Sequence, residues 1–228
     1  NITFKVNKGE TIAFIGATGC GKSTIVGLAS RLYDASNGEV LVDGVNIKDL
    51  TFDTLYSKVA LVPQKAELFS DTIKDNVTFG KNDATDEEVK NAISIAQAEE
   101  FVSKLENKEN HMIAERGNNL SGGQKQRMCI ARALVRNSEI VIFDDSFSAL
   151  DYKTDKNLRN DLHTKLKGTT VVIVAQRIGT IKNADKIVVL DHGKIVGMGK
   201  HEDLLKNCKV YYEIAASQLD ENELKGGK

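Results

Sequence analysis

Tryptophan is absent from the 228 residues, proline occurs once, and cysteine occurs three times. Cys20, Cys129 and Cys208 are far apart and lack the spacing of metal ligands, so we expect reduced thiols. The 31 basic and 32 acidic residues leave a formal charge of -1, which gives no electrostatic reason to expect a nucleic-acid partner. No apolar run approaches the roughly 18 residues of a membrane-spanning helix. The composition therefore points away from a disulfide framework, a cysteine-metal site and a basic nucleic-acid surface.

One complete phosphate-binding motif stands near the start of the chain. Residues 16–23 read Gly-Ala-Thr-Gly-Cys-Gly-Lys-Ser and fit G-x-x-x-x-G-K-[ST]. The run at 11–15 predicts a buried strand before the motif, and the apolar spacing after it predicts a helix. Such a turn directs backbone N–H groups into one concavity at the positive end of the helix dipole. We predict a polyphosphate site, with Lys22 on the β- and γ-phosphates and the Ser23 hydroxyl on Mg²⁺. The predicted nucleotide contacts are Gly16, Ala17, Thr18, Gly19, Cys20, Gly21, Lys22, Ser23 and Thr24.

Short apolar runs and turn signals predict an α/β fold with a mainly parallel sheet. The predicted buried strands lie at 59–62, 140–143, 169–175 and 187–190. Asp43-Gly44 stands between two short apolar runs and predicts a hairpin. Together with residues 2–6, which alternate apolar and polar, and residues 10–15, this hairpin predicts an antiparallel β edge region.

Between the strands at 59–62 and 140–143 the pattern changes to helix. Thr85 and Glu88 have the spacing of a capping box, and apolar residues follow at helical intervals. We therefore predict one domain over 1–228. Its core and β edge region occupy 1–71 and 136–228, and a helical insertion occupies 72–135.

Polar side chains follow three of the predicted strands and form a second set of candidates. Asp144 ends a buried strand, where P-loop proteins often place an acid that holds Mg²⁺. Asp145 is then placed to orient or deprotonate an attacking water. Gln64 and Gln176 each follow a strand and could sense the metal or the water, although each alone is equally typical of an ordinary loop. The predicted metal ligands are Ser23, Gln64 and Asp144, and the predicted catalytic residues are Asp145, Gln176 and Gln64.

Residues 120–124, Leu-Ser-Gly-Gly-Gln, form the sharpest second signal. Ser121 and Gln124 have the spacing of an S-x-x-Q capping box, and Gly122 and Gly123 expose backbone amides at a helix N-terminus. The segment is either a second anion-binding helix end or a helix cap alone.

Taken in order, these motifs resemble the nucleotide-binding domain of ATP-binding cassette (ABC) transporters over essentially the whole chain. The motifs that carry the resemblance are residues 16–23, 63–64, 120–124, 140–145 and 148–151. Residues 115–117 and 199–205 resemble segments of exporter-type members. The resemblance implies a P-loop NTPase (RecA-like) core, ATP and Mg²⁺ as cofactors, and a transmembrane domain upstream in the same polypeptide.

The resemblance also implies a mechanism. Two such domains face each other head to tail and enclose two ATP molecules, each between one P-loop and the other domain's 120–124 segment. Asp151 would bridge the two sites. The residues that would contact the partner's nucleotide are Ser121, Gly122, Gly123 and Gln124. ATP binding and hydrolysis at the cytoplasmic face of the membrane would then drive export, of drugs or lipids by resemblance.

At two positions the chain departs from the family pattern. Asp145 stands where members that hydrolyse ATP usually carry Glu, and Gln176 stands where they usually carry His. Aspartate is one methylene shorter, and a misplacement of about 1 Å can cost on the order of 10²-fold in rate. Glutamine cannot become cationic. We expect a slow or degenerate site in one half of a heterodimeric exporter; the alternatives are a homodimer that hydrolyses ATP through Asp145, and a non-transport ABC ATPase.

Overall fold

The structure is a computed structural model that describes residues 1–224; the last four residues of the predicted domain, 225–228, lie outside the described residues. The strands in chain order are β1 Thr11–Ile15, β2 Leu41–Val42, β3 Val45–Asn46, β4 Val59–Val62, β5 Ile140–Asp144, β6 Thr170–Val174, β7 Lys186–Asp191 and β8 Lys194–Gly199. Within residues 1–224 they form a six-stranded sheet in the order β4-β5-β6-β1-β7-β8 and a separate β2-β3 hairpin.

Helices cover both faces of the larger sheet. The α-helices are α1 Lys22–Ala29, α2 Phe52–Lys58, α3 Ile73–Thr78, α4 Asp86–Ile95, α5 Glu99–Val102, α6 Gly122–Leu134, α7 Tyr152–Lys165, α8 Ile178–Ile181, α9 His201–Asn207, α10 Lys209–Ala216 and α11 Glu221–Leu224. Short 3₁₀ turns lie at Ile47–Asp49, Lys108–Asn110 and Glu115–Gly117. In this part of the chain, no helix combines the length and the apolar character needed to cross a membrane.

The centre of the sheet is β1, which pairs in parallel with β6 on one side and β7 on the other. Its side chains alternate between two cores: Ile12 and Phe14 join the smaller cluster, and Ala13 and Ile15 the larger one. A strand that is buried on both faces needs the continuous apolar run that residues 11–15 have. Because β1, β5 and β6 are parallel, the residues that follow them meet at one edge of the sheet.

The predicted α/β class is therefore confirmed, but part of the predicted antiparallel edge region is wrong. Residues 10–15 do not belong to that region, because β1 is the central parallel strand. Residues 2–6 form no assigned strand; their apolar side chains pack on the smaller core, where the Phe4 ring contacts Phe14 at 5.2 Å between centroids. The antiparallel pairs are the hairpin β2-β3 and the edge pair β7-β8.

The turn of the β2-β3 hairpin has the geometry that its sequence predicts. Asp43 and Gly44 have φ angles of 53° and 79°, so both central residues are left-handed. Left-handed geometry at both positions defines the type I′ turn, which favours Asp-Gly.

Helices α3 to α6 lie between β4 and β5 in the chain, where the helical pattern was found. Thr85 and Glu88 form the predicted capping box at the start of α4. The buried faces of α4 and α6, including Val89, Ile93 and Met128, belong to the larger core. The boundaries of the helical insertion, 72–135, remain a prediction.

The C-terminal helices α9 and α10 are joined by a hydrogen bond between a half-buried histidine and a buried tyrosine. The Tyr211 ring is fully buried, and its hydroxyl lies 2.7 Å from Nδ1 of His201. Burial lowers the pKa of His201 below its usual value, and nearby Lys182 acts in the same direction. Folding therefore favours the neutral imidazole.

We predict that His201 makes stability depend on pH between 7.5 and 5.5. The unfolded chain takes up a proton at the ordinary histidine pKa near 6.5, whereas folded His201 does so only at lower pH, so stability falls as pH drops below about 6.5. In urea unfolding at several pH values, His201→Gln should show a shallower loss than the wild-type chain. His192→Gln, at an exposed position, is the matched control and should keep the wild-type slope. Equal slopes for all three proteins would contradict this assignment.

Candidate functional site

The structure brings the P-loop, the acidic pair and both glutamines together at one edge of the sheet. Ser23, at the start of α1, donates from Oγ to Oδ1 of Asp144 at the end of β5, at 3.0 Å. Asp145 Oδ2 accepts hydrogen bonds from Gln176 Nε2 at 2.7 Å and from Gln64 Nε2 at 3.3 Å. Residues at or beyond the ends of β1, β4, β5 and β6 thus form two adjacent hydrogen-bonded groups, one on Asp144 and one on Asp145, as the strand ends predict.

The P-loop folds around the ammonium group of Lys22. Lys22 Nζ donates to the carbonyl oxygens of Gly16 at 2.8 Å and Ala17 at 2.9 Å, and lies 3.6 Å from Sγ of Cys20. Helix α1 begins at Lys22, and its N-cap residue Gly21 is left-handed with φ 102° and provides no side-chain cap. A helix end without a side-chain cap retains its first backbone N–H groups for an anion.

Gly16 occupies a position where only a hydrogen fits. A Cβ atom on Gly16 would lie 2.1 Å from the carbonyl oxygen of Leu190 and 2.7 Å from Cys20 Sγ. Leu190 belongs to β7, so the P-loop starts in close contact with the neighbouring strand. Cys20 is correspondingly buried, while Ala17, Thr18 and Gly19 form the exposed part of the loop.

Burial dominates the electrostatics of the two carboxylates. It raises the pKa of Asp144, against the hydrogen bond from Ser23 and the charge of Lys22. It also raises the pKa of Asp145, whose side chain is stabilised as an anion by Gln176 and Gln64 and destabilised by Asp144. Both acids therefore hold protons more tightly than exposed aspartates do.

The backbone at Asp145 is held in an uncommon conformation. Its φ angle is 47°, in the left-handed region that side-chain-bearing residues seldom adopt. The N–H of Asp145 donates to Val174 O at 3.0 Å, and its carbonyl oxygen accepts from Ser148 Oγ at 2.7 Å. These bonds on both sides of the residue maintain the turn that follows β5.

The donor set fits Mg²⁺. A small, hard cation prefers oxygen ligands, and one or two carboxylates or hydroxyls together with substrate phosphates are its usual partners. Ser23 Oγ and Asp144 Oδ1 already lie within hydrogen-bond distance of each other. Gln64 bonds to Asp145 through Nε2, which leaves its amide oxygen as the atom for a metal.

The segment 121–124 forms a helix cap in this chain. Ser121 N–H donates to Gln124 Oε1 at 2.8 Å, and Gln124 N–H donates to Ser121 Oγ at 3.3 Å, which completes the predicted capping box of α6. Gly122 is exposed, and no atom lies within 4 Å of the position of a Cβ there. The cap accounts for the local geometry, and a role in a partner's site stays a prediction.

Asp151 also caps a helix. Its carboxylate accepts from the Thr154 N–H at 3.0 Å and from Thr154 Oγ1 at 2.6 Å, at the start of α7. The two helix ends are neighbours, because a Cβ on Gly123 would lie 3.1 Å from the Ala149 carbonyl oxygen. The predicted bridging role of Asp151 is untested by these contacts.

Two glutamines near the site were missed by the sequence reasoning. Gln126, buried in α6, donates to Pro63 O at 3.2 Å and so joins this helix to the loop of Gln64. Gln218, beyond α10, bonds to the backbone of Gln176 and Ile178. Gln126 could have been found as a polar residue on the apolar side of a predicted helix, but nothing near Gln218 in the sequence marks it.

Comparisons with known proteins agree on one family. A family model described as "ABC transporter" matches residues 1–148. The chain is 44% identical over 221 residues to Multidrug resistance protein 1 of Entamoeba histolytica, covering 96% of this chain and 17% of that protein. It is 42% identical over 221 residues to the ATP-dependent lipid A-core flippase of Hahella chejuensis, covering 96% of this chain and 38% of that protein.

A solved structure of a bacterial Atm1-family ABC exporter with ATP bound has the same fold. It superposes with a TM-score of 0.92 at 38% identity, over 96% of this chain and 38% of that one. The chain therefore spans well under half the length of these relatives.

We predict that Gly16→Ala destabilises the protein far more than Gly19→Ala. The first substitution drives a Cβ into the β7 backbone and should cost about 3 kcal/mol. The second adds a Cβ in open space at φ 81° and should cost about 1 kcal/mol from backbone strain alone. Urea unfolding of the two variants measures the difference. Similar stabilities would show that the contact with Leu190 relaxes without cost.

Proposed function

Because the chain belongs to the ABC transporter family, as an exporter-type nucleotide-binding domain, we propose that it binds MgATP and couples ATP binding and hydrolysis to export across a membrane. The observation that carries the proposal is that the predicted site residues lie together. Ser23 is hydrogen-bonded to Asp144, and Asp145 is hydrogen-bonded to Gln64 and Gln176. The membrane-spanning part would belong to a longer polypeptide, a proposal supported by the relatives, of which this chain covers 17% and 38%.

The nucleotide would lie in the P-loop. Backbone N–H groups of the loop and of the first turn of α1 would bind the phosphates, and Lys22 would exchange its bonds to the loop carbonyls for the β- and γ-phosphates. Ser23, Asp144 and Gln64 would hold Mg²⁺, which when bound offsets the negative charge of the phosphates. Asp144 is half-buried, and this partial loss of water strengthens its attraction for a cation.

We propose that this site hydrolyses ATP slowly. Burial raises the pKa of Asp145, which makes its carboxylate a stronger base than an exposed aspartate. Slow hydrolysis would instead follow from the short reach of Asp145, whose side chain is one methylene shorter than that of glutamate. A shortfall of about 1 Å between carboxylate and water can lower the reaction rate on the order of 10²-fold, or raise the barrier by roughly 2.7 kcal/mol. Gln176 can donate a hydrogen bond to the γ-phosphate but cannot carry a positive charge there.

The partner would be a second, different ABC nucleotide-binding domain. The segment 121–124 would contact the γ-phosphate in the partner's site, with Asp151 between the two sites. Gly122, at the amino end of α6, supports this role, because it is exposed and no atom of the described residues lies within 4 Å of a Cβ position there. A transmembrane domain of the same polypeptide would anchor the pair at the cytoplasmic face of the membrane. The similar proteins named for multidrug resistance and lipid A-core flipping suggest a drug or lipid cargo.

A homodimer that hydrolyses ATP through Asp145 is the competing proposal. It uses the same P-loop and the same 121–124 segment, and it differs in placing Asp145 opposite both nucleotides. A non-transport ABC ATPase is a more remote alternative, which the near-neutral charge of the chain disfavours where nucleic acid is the partner.

We predict that Asp145→Glu together with Gln176→His raises the rate of ATP hydrolysis of the isolated domain by about 10²-fold, because the carboxylate then reaches the water. The dissociation constant for MgATP should change little, since neither residue belongs to the P-loop. Phosphate release and nucleotide titration measure the two quantities. Adding Lys22→Met to the repaired variant is the control and should abolish turnover. Wild-type turnover equal to that of the repaired variant would contradict a degenerate site.

A second experiment separates the heterodimer from the homodimer. In a complex with the second ABC domain that co-purifies with this chain, Gly122→Asp should abolish most ATP turnover, because an acidic side chain excludes phosphate from the partner's site. The substitution should not unfold the chain, since the Cβ position is open and an acid favours a helix N-terminus. Lys22→Met, which damages only this chain's own site, should retain most of the turnover. Equal losses in both variants would favour the homodimer.

A further inference from the structure

One side chain of the C-terminal segment makes two hydrogen bonds to the backbone of the loop that carries Gln176 and of the residue that begins α8. Gln218 Nε2 donates to the carbonyl oxygen of Gln176 at 2.8 Å, and Gln218 Oε1 accepts from the N–H of Ile178 at 2.8 Å. A single amide group thus pairs with an acceptor and a donor two residues apart. The bond to Gln176 lies on the short connection between β6 and α8, and the bond to Ile178 lies at the first residue of α8.

Helix α8 obtains the cap for its first turn from this contact. Its N-cap residue, Arg177, makes no side-chain cap hydrogen bond. The first N–H groups of a helix lack partners within the helix, and a buried one left unpaired is costly. Ile178, whose residue is fully buried, finds its acceptor in Gln218, which lies 40 positions later in the sequence.

Gln218 is itself fixed in place by the C-terminal core. Its N–H donates to Ala215 O at 3.0 Å in the turn that ends α10. Ala215 and Tyr211, on the inner face of α10, are fully buried, and the Tyr211 hydroxyl lies 2.7 Å from His201. The backbone of Gln218 is therefore anchored to a packed helix, while its exposed side chain is held by its two hydrogen bonds to residues 176 and 178.

Gln176 is hydrogen-bonded through both its backbone and its side chain. Its backbone carbonyl meets Gln218, and its side-chain Nε2 donates to Asp145 Oδ2 at 2.7 Å. We propose that Gln218 is a positioning residue, which fixes the backbone of residue 176 so that its side chain reaches Asp145 and the γ-phosphate. The inference rests on the proposed function, which assigns Gln176 to the nucleotide site.

Two substitutions separate positioning from simple capping. Gln218→Glu keeps an acceptor for the Ile178 N–H but sets a carboxylate oxygen against the Gln176 carbonyl oxygen, so it preserves the cap and displaces the loop. Gln218→Met removes both hydrogen bonds at nearly constant size. Glu223→Gln is the matched control, because Glu223 pairs with Lys182 next to α8 at 3.4 Å and has no part in the site.

The experiment has a spectroscopic and a kinetic readout. In the wild-type chain, the side-chain amide resonance of Gln176 is followed by NMR with and without MgATP. In the Asp145→Glu, Gln176→His background, kcat and KM for MgATP are measured. Gln218→Glu should shift the Gln176 resonance and lower kcat at least about tenfold, with KM within about twofold, because a displaced loop alters the γ-phosphate side and leaves the P-loop intact. Glu223→Gln should match its parent in both readouts.

The outcomes are distinguishable. If Gln218→Glu keeps the parental Gln176 resonance and kcat, the positioning role is overturned and Gln218 is a helix cap. If Gln218→Glu fails to fold, the Gln176 side-chain amide resonance is measured in Gln218→Met instead. A shifted resonance supports the proposal, and an unchanged resonance overturns it. A wild-type chain that binds no MgATP counts against the proposed function, whereas unchanged kcat in a chain that binds MgATP counts against Gln218 alone.

Discussion

Asp145 Oδ2 accepts hydrogen bonds from Gln176 and Gln64, so side chains that follow β4 and β6 meet on the residue that follows β5. The remainder of the site depends on this carboxylate being buried and on its left-handed backbone, which two further hydrogen bonds maintain. The sheet makes the meeting possible, since parallel strands deliver their carboxyl ends to one edge. The site is therefore a product of strand order as much as of residue type.

What could be predicted from the sequence was local. The P-loop, the Asp43-Gly44 turn and the capping boxes of α4 and α6 each involve residues within a few positions of one another, where spacing alone fixes the geometry. The error at residues 10–15 has a different origin. An apolar run identifies a buried strand but does not name its neighbours, and the pairing of β1 with β6 and β7 links residues about 160 to 175 positions apart. The contact of Gln218 with Gln176 escaped prediction for the same reason.

The two departures from the family pattern, at Asp145 and Gln176, are in direct contact. A pair of substitutions in contact acts as one unit, and the effect of either alone is not expected to add to the other. A shorter acid beside an uncharged amide makes a compact hydrogen-bonded pair. This pair is the basis of our proposal that the site, with the P-loop beside it, holds a nucleotide more than it hydrolyses one.

Helix α6 connects the segment proposed to contact the partner's nucleotide with the loop proposed to hold this chain's own metal. Its first residues form the capped end at 121–124. One turn later, Gln126 donates a hydrogen bond to the carbonyl oxygen of Pro63, next to Gln64. A helix is stiff over so short a length, so a displacement of its amino end is carried directly to that loop. In the assembled pair, nucleotide binding at the partner's site would then shift the loop of Gln64 at this chain's own metal position. The buried side-chain amide of Gln126 would couple the two sites.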